Sequence, residues 1–586
     1  MTPRLKRLPI SMAIRRAMSA GYTRETFRAD LLAGVVVGIV ALPLSMALAI
    51  AVGVPPQHGL YTAIIAGAVT ALTGGSKFQI TGPTAAFVVI LAPIVNRFGL
   101  NGLLTAGLMA GVMLVGMGLA GLGRFITFIP HPVTTGFTAG IATVIATLQI
   151  KDVFGLHVVH MPDEYLGKVH ALWLARSSAS WQEFVVAITT LGLLIGIPRV
   201  LRKIPAPLVA IASVSVVVTV LARFVPGFHV ATIGTRFHAL VGGHEIAGIP
   251  PLPPTPMLPW GPNGISLATF RELGSAAFAI AMLGAIESLL SAVVADGMTG
   301  KRHDPNAELV GQGIGNIIAP FFGGIAATGA LARTATNVRA GGRTPISAVV
   351  HSAVVLLSIL VLAPAVAYIP MASLAGLLLL VAWNMSEVRH AIHTVRVAPR
   401  SDVFVLLTCF VLTVVFDMVV AVSTGVMLAA LLFMRRMAEM TQSRLLLENE
   451  NESTHILPHG VALYEINGPL FFGAAQNAVS SLEAIGANVR ILVLGLGHVP
   501  VIDSTGMVAL ESMIARLQQA KVFVIIAGPL PEPRKMFEKV QLELHMKHVM
   551  FTSTLDQALL VARDLVLLNP EWKDMESAFA EAASEK

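Results

Sequence analysis

The stretch LLAGVVVGIVALPLSMALAIAVG, residues 31–53, runs for 23 residues without a charged side chain. About 20 predominantly apolar residues are what a helix needs to cross the hydrocarbon core of a bilayer. Similar runs recur as far as Met434, rich in Leu, Ala, Gly and Val and without the two-residue alternation of a membrane barrel. No water reaches the bilayer core, so such runs must satisfy their backbone groups within helices. The expected fold is a polytopic α-helical membrane protein.

Composition points the same way. Charged residues make up 12% of the 586, against 55% hydrophobic, and soluble domains carry roughly twice that charge. Mean hydropathy is +0.76. The 52 glycines and 34 prolines suit closely packed and interrupted transmembrane helices. Cys409 is the only cysteine, which excludes disulfides and cysteine-based metal clusters. There is no Gly-x4-Gly-Lys-Ser/Thr phosphate loop, catalytic triad or metal-ligand cluster, which argues against an enzyme, an ATP-driven pump or a bound cofactor.

The net charge of +7 does not indicate nucleic acid. It is concentrated beside the spans: the first 28 residues hold Arg4, Lys6, Arg7, Arg15, Arg16, Arg24 and Arg28 against the single acid Glu25. Basic residues in that position mark the cytoplasmic side. The first apolar run lies late and ends without a small-residue cleavage pattern, so it is expected to stay as a span.

Spans are expected at about 31–53, 59–74, 80–95, 103–121, 131–150, 182–198, 204–224, 271–295, 308–322, 325–337, 344–366, 371–384, 402–416 and 418–434. That makes about fourteen, some of them short. Alternate connections carry Arg124, Arg199, Lys301 and Arg302, Arg339 and Arg343, Arg389 and Arg396, then Arg435 and Arg436. Short connections on the other side, such as 54–58 and 363–371, carry no Lys or Arg. Both termini are therefore expected in the cytoplasm, and a multi-pass place in a bacterial inner membrane follows.

After Arg436 the pattern changes. Residues 438–457 read as a polar linker, 458–568 as a small α/β domain, and 569–586 as a tail; 1–30 form a cytoplasmic segment and 31–437 the transmembrane domain. Strands are expected at 461–466, 490–496 and 521–527, and helices at 475–485 and 505–519.

Two interrupted segments carry the functional signal. Ile80-Thr81-Gly82-Pro83-Thr84-Ala85-Ala86-Phe87 opens one short run, and Gly323 to Thr334, with Ala330, Leu331, Ala332 and Arg333, opens another. Interrupted segments in corresponding halves point to a transporter's binding site. A helix that starts at membrane depth leaves free N–H groups and partial positive charge, suited to an anion. Pro83 is expected in the first turn of such a helix. The same glycines also suit close helix packing, and that alternative stays open on spacing alone.

Arg333 is costly at membrane depth unless it faces a cavity or partner. Glu287, in the middle of an apolar helix, is a candidate proton or cation relay, the alternative being a polar contact with Ser288 or Arg333. Asp296, Asp304 and Glu308 are expected in a solvated cytoplasmic turn, and His351 as a packing histidine.

Residues 79–86, the block Glu287 to Gly324, and Arg333-Thr334-Ala335-Thr336-Asn337 resemble the SulP (solute carrier 26) family, and the tail resembles its STAS domain. Within that family, Val381 to Glu387 and Leu432 to Arg436 are most similar to the bacterial aerobic C4-dicarboxylate branch. The resemblance implies a seven-plus-seven inverted repeat, core and gate domains, and a homodimer. It implies an anion held near Pro83, Thr84, Ala85, Ala86 and Ala330–Arg333, with Leu44 and Leu48 of the first span beside it and Glu287 as coupling carboxylate. Relatives often place a polar residue at Leu44.

The expected function is proton-coupled uptake of a C4-dicarboxylate such as succinate, fumarate or malate, by an elevator-like mechanism. Sulfate or bicarbonate transport is the alternative, with an anion channel or sensor behind it. Residues 501–506 resemble the STAS loop that holds a phosphorylatable serine, here Ser504, and a cytoplasmic protein partner is implied. Asp503 and Ser504 before a helix are also ordinary cap chemistry.

Overall fold

A computed structural model describes residues 9–568 apart from 125–129, 159, 201–204, 242–243, 263, 265, 417, 447–456, 459, 472–488 and 543–548. The chain divides into two compact units, Met1–Ala429 and Ala430–Lys586.

The first unit opens with α1 (Met12–Ser19), α2 (Arg24–Val52), α3 (Pro56–Thr73), the short strand β1 (Thr81–Gly82) and α4 (Ala85–Leu119). Then come α5 (His131–Val153), α6 (Tyr165–Leu174), α7 (Trp181–Val200), α8 (Ala206–Phe224) and α9 (Ile233–Arg236). A hairpin of β2 (His238–Val241) and β3 (His244–Ala247) precedes α10 (Leu267–Thr299) and α11 (Pro305–Ile318). The strand β4 (Thr328–Gly329) leads into α12 (Leu331–Arg339), α13 (Ile346–Val366) and α14 (Met371–Ser386). The short α15 (Val388–Val397) follows, then α16 (Arg400–Val415) and α17 (Met418–Met440), which runs across the division between units.

Nine helices among the described residues are long and apolar enough to cross a membrane. α4 covers two of the expected spans, divided at Gly99, whose φ of 68° interrupts the helix. Counting its two parts, with α3, α11, α12 and α16, gives fourteen segments. Seven lie in each half, and the β1–α4 and β4–α12 junctions both open the third.

The segments form two bundles. α2, α3 and α4 pack with α10, α11, α12 and α13, whereas α5 packs with α14 and α16, and α7 with α8 and α14. Glycines set the closeness of the first bundle. A methyl group at Gly111 of α4 would meet the Gly313 carbonyl of α11 at 2.8 Å, and one at Gly311 would strike the Gly74 backbone. α2 is capped by Thr23, which accepts from the Thr26 N–H at 3.2 Å, and it ends on Gly53 at φ 96°.

The second unit holds a five-stranded sheet in the order β5 (Gln442–Leu446), β6 (Val461–Asn467), β7 (Ile491–His498), β8 (Phe523–Ala527) and β9 (Val549–Thr552). β5 pairs antiparallel with β6, and the other pairs are parallel. β5 falls inside the stretch expected as linker. Strand alternation sends Tyr464, Leu492, Leu494, Val524 and Ile526 to one core with α18 (Ser504–Gln519) and α19 (Pro531–Val540). Leu463, Ile491, Val493 and Ile525 go to another with α20 (Leu555–Leu568). The helix expected at 475–485 lies outside the described residues, as does the tail from 569.

Candidate anion site

β1 and β4 cross antiparallel, with Thr81 opposite Gly329 and Gly82 opposite Thr328. Segments almost 250 residues apart thus bring two helix starts together, Ala85 of α4 and Leu331 of α12. The Ala330 N–H donates to the Ile80 carbonyl at 2.8 Å, and the Ile80 N–H to Thr334 Oγ1 at 3.0 Å.

Side chains finish the support. Thr81 Oγ1 donates to Gln312 Oε1 at 3.3 Å, and Gln312 Nε2 donates to the Ala327 carbonyl at 2.6 Å. Asn316 holds both backbone groups of Ala327, accepting from its N–H at 2.8 Å and donating to its carbonyl at 2.9 Å. Asn337 Nδ2 reaches the Phe78 carbonyl at 2.8 Å. Gln312 and Asn316 lie one turn apart on α11, so a polar stripe on that helix fixes the second interrupted segment. Sequence reading passed over both, although amides spaced by four on an apolar helix were the available signal.

Arg333 is 2% exposed. Its Nη2 donates to the Pro83 carbonyl, while among the described residues Nε and Nη1 have no hydrogen-bond partner. Gly82 leaves room for it, since a methyl group there would lie 2.5 Å from Arg333 Nη1. Leu331 and Ala332, just ahead of it in α12, are exposed. Glu287, half-buried on α10, accepts from Thr84 Oγ1 at 2.7 Å. Its neighbour Ser288 accepts from Gln79 Nε2 at 2.6 Å, and no ion pair within 4 Å joins Glu287 to Arg333 among the described residues.

Two expectations need correction. Pro83 is not in the first turn of α4, because Thr84 is the cap residue and Ala85 the first helical one. Pro83 instead offers its carbonyl to Arg333, ahead of the extended cap residue Thr84. Glu308 is not in a solvated turn: it is 1% exposed and accepts from the Gly75 and Ser76 N–H groups at 2.9 and 2.7 Å. Asp304 caps α11 through Asn306 and Ala307, and Asp296 accepts from His303 Nδ1 at 2.7 Å. Ala330, Ala85 and Ala86 are buried, Leu48 is fully buried in α2, and Leu44 is half-buried.

The match to known proteins covers this whole arrangement. The sulfate permease family matches residues 27–409, and the STAS domain family residues 456–558. The chain belongs to the sulfate permease family. YvdB of Bacillus subtilis (strain 168), which carries a provisional sulfate-transporter name, is 42% identical over 528 residues, 89% of this chain and 95% of YvdB. The bicarbonate transporter BicA of a Picosynechococcus species is 30% identical over 539 residues, 88% of this chain and 91% of BicA.

Solved structures agree on this permease's fold. The transmembrane domain of a cyanobacterial BicA superposes with a TM-score of 0.58 at 28% identity, over 70% of this chain and 98% of that domain. A murine solute carrier 26 member A9 anion transporter, inward-facing, reaches 0.78 at 16% identity, over 94% of each chain. This permease is a multi-pass membrane transporter of anions with a C-terminal STAS domain.

In that domain Asp503 caps α18, accepting from the Gly506 N–H at 2.6 Å. Ser504 is the first residue of the helix and is exposed.

Proposed function

We propose that this permease moves a small oxyanion across the bacterial inner membrane by secondary active transport, as a homodimer with both termini cytoplasmic. The observation that carries the reading is Arg333, buried at the β1–β4 crossing beside two helix starts, with two nitrogens unpaired among the described residues. Unpaired N–H groups, helix-end partial charge and a guanidinium all favour an anion over a cation or neutral solute. The pocket would be formed by Pro83, Thr84, Ala85 and Ala86 from one side and Ala330, Leu331, Ala332 and Arg333 from the other. Leu44 and Leu48 would form its third wall.

The names of the relatives favour bicarbonate or sulfate. A C4-dicarboxylate is the second reading, supported by the apolar Leu44 and Leu48 on α2, the helix that packs beside α12. A hydrocarbon-backed anion gains from such a wall, and sulfate does not. Glu287, tied to the cap residue Thr84, would couple proton binding to occupancy, and the two bundles would shift past each other in an elevator-like cycle. In the STAS domain, Ser504 stands as a phosphorylation site recognised with a cytoplasmic protein partner.

Uptake of labelled bicarbonate, sulfate and succinate into proteoliposomes, with and without an imposed pH gradient, tests this. Accumulation of succinate alone would establish the second reading over the first. Failure of all three anions to accumulate under any gradient would overturn secondary active transport.

A further inference from the structure

The helix α15 lies between α14 and α16, on the side to which the basic connections belong. It follows Glu387, held at φ 42°, and ends before Pro399. None of its ten residues is buried, and Ile392 and Val395 are 47% and 44% exposed. Helical spacing puts Val388, Ile392 and Val395 on one face and Arg389, His393 and Arg396 on the adjoining one, about 100° round the axis. Among the described residues neither Arg389 nor Arg396 has an ion-pair partner.

A helix with an apolar face beside a cationic one, both at least partly exposed, is built to lie in the plane of a membrane surface. The two neighbouring spanning helices hold it at that depth. Arg389 and Arg396 lie two turns apart, about 10 Å along the axis, so they reach separate headgroups.

We propose that α15 is a binding site for anionic phospholipids of the leaflet it faces. Its arginines bind the phosphate groups, and Val388, Ile392 and Val395 enter the acyl region. The His390 ring packs edge-on to that of His131 with centroids 4.9 Å apart, so the helix is tied to the start of α5. α5 also packs on α14 and α16, and bound lipid therefore anchors that bundle to the bilayer.

The test is native mass spectrometry of the full chain, released from micelles holding equal amounts of phosphatidylglycerol and phosphatidylcholine. Wild type should retain phosphatidylglycerol preferentially. The R389Q/R396Q variant should lose about fivefold of that preference per arginine, roughly twenty-five-fold together, and R389K/R396K should keep most of it. An unchanged preference in the glutamine variant would overturn the proposal, as would equal loss of both lipids. Wild type supplies a check independent of any variant: raising salt from about 0.1 to 1 M should weaken the preference, because screening shortens the Debye length from about 10 to 3 Å. Insensitivity to salt would count against a headgroup contact.

Discussion

Thr84 donates its hydroxyl to Glu287 at 2.7 Å, joining the cap residue of one interrupted helix to the intramembrane carboxylate of α10. The coupling candidate therefore touches the helix start proposed to bind the anion. In Glu287→Gln the amide oxygen can still accept from Thr84, so the local geometry survives while the exchangeable charge is lost. Accumulation driven by a pH gradient should disappear, with anion exchange between equal solutions retained. Unchanged gradient-driven uptake would remove Glu287 from coupling.

Arg333 should set affinity. Hydrogen bonds to charged groups contribute about 1.5–3 kcal/mol, so Arg333→Ala should raise KM roughly ten- to hundredfold. Arg333→Lys keeps the charge but loses the planar fork, and should fall between. Concentration-dependent uptake measures both, and an unaltered KM in the alanine variant would take the guanidinium out of the pocket.

Gly329 tests the crossing itself. A methyl group there would strike the Gln79 amide, which bonds Ser288 at 2.6 Å. Overpacking of this kind typically costs about 1–3 kcal/mol. Gly329→Ala should lower the apparent Tm and the uptake rate together, and an unchanged Tm would show that the segment has room to move.

These sites were unequally legible in the sequence. Arg333 and Glu287 stand out because an ionisable residue in an apolar run has to be explained. Gly82 and Pro83 marked the first interrupted segment, and Gly323, Gly324 and Gly329 the second. Spacing does not reveal which remote strands pair, so the Thr81–Gly329 register and the buried role of Glu308 were invisible. The first depends on a contact across the two halves. The second depends on the Gly75 and Ser76 N–H groups facing α11, which makes a cytoplasmic-looking acid into an internal acceptor. Likewise β5 hides in a polar stretch because an edge strand buries few of its side chains.

Asp30 joins the start of α2 to the turn before α13. It is fully buried and accepts from the Arg343 and Thr344 N–H groups at 2.7 and 3.0 Å, from Thr344 Oγ1 at 2.5 Å and from the Tyr22 hydroxyl at 3.2 Å. Burial, then the Asp30 charge, pushes the Tyr22 hydroxyl from 10.0 up to about 12. A raised acid favours its neutral form in the folded chain. The contact should thus stabilise fully below pH 10.0 and fade as pH rises through about 12. Asp30→Asn should lower Tm at neutral pH, and Tyr22→Phe should flatten the alkaline limb of a Tm–pH profile. An identical alkaline limb in the phenylalanine variant would show that other groups cause it.

The STAS loop separates a capping role from a regulatory one. Asp503, not Ser504, makes the cap bond to Gly506, and losing such a cap costs about 1 kcal/mol. Hydrogen exchange at the Gly506 amide in the full chain should quicken about fivefold in Asp503→Ala. Ser504→Ala should leave it unchanged, because the Ser504 hydroxyl makes no hydrogen bond among the described residues. Ser504→Glu puts negative charge on the helix N-terminus, where it is favoured by about 0.3–1 kcal/mol, and should slow exchange instead. If Ser504→Ala alone opened the amide, the serine would be structural, and its exposure would no longer argue for modification.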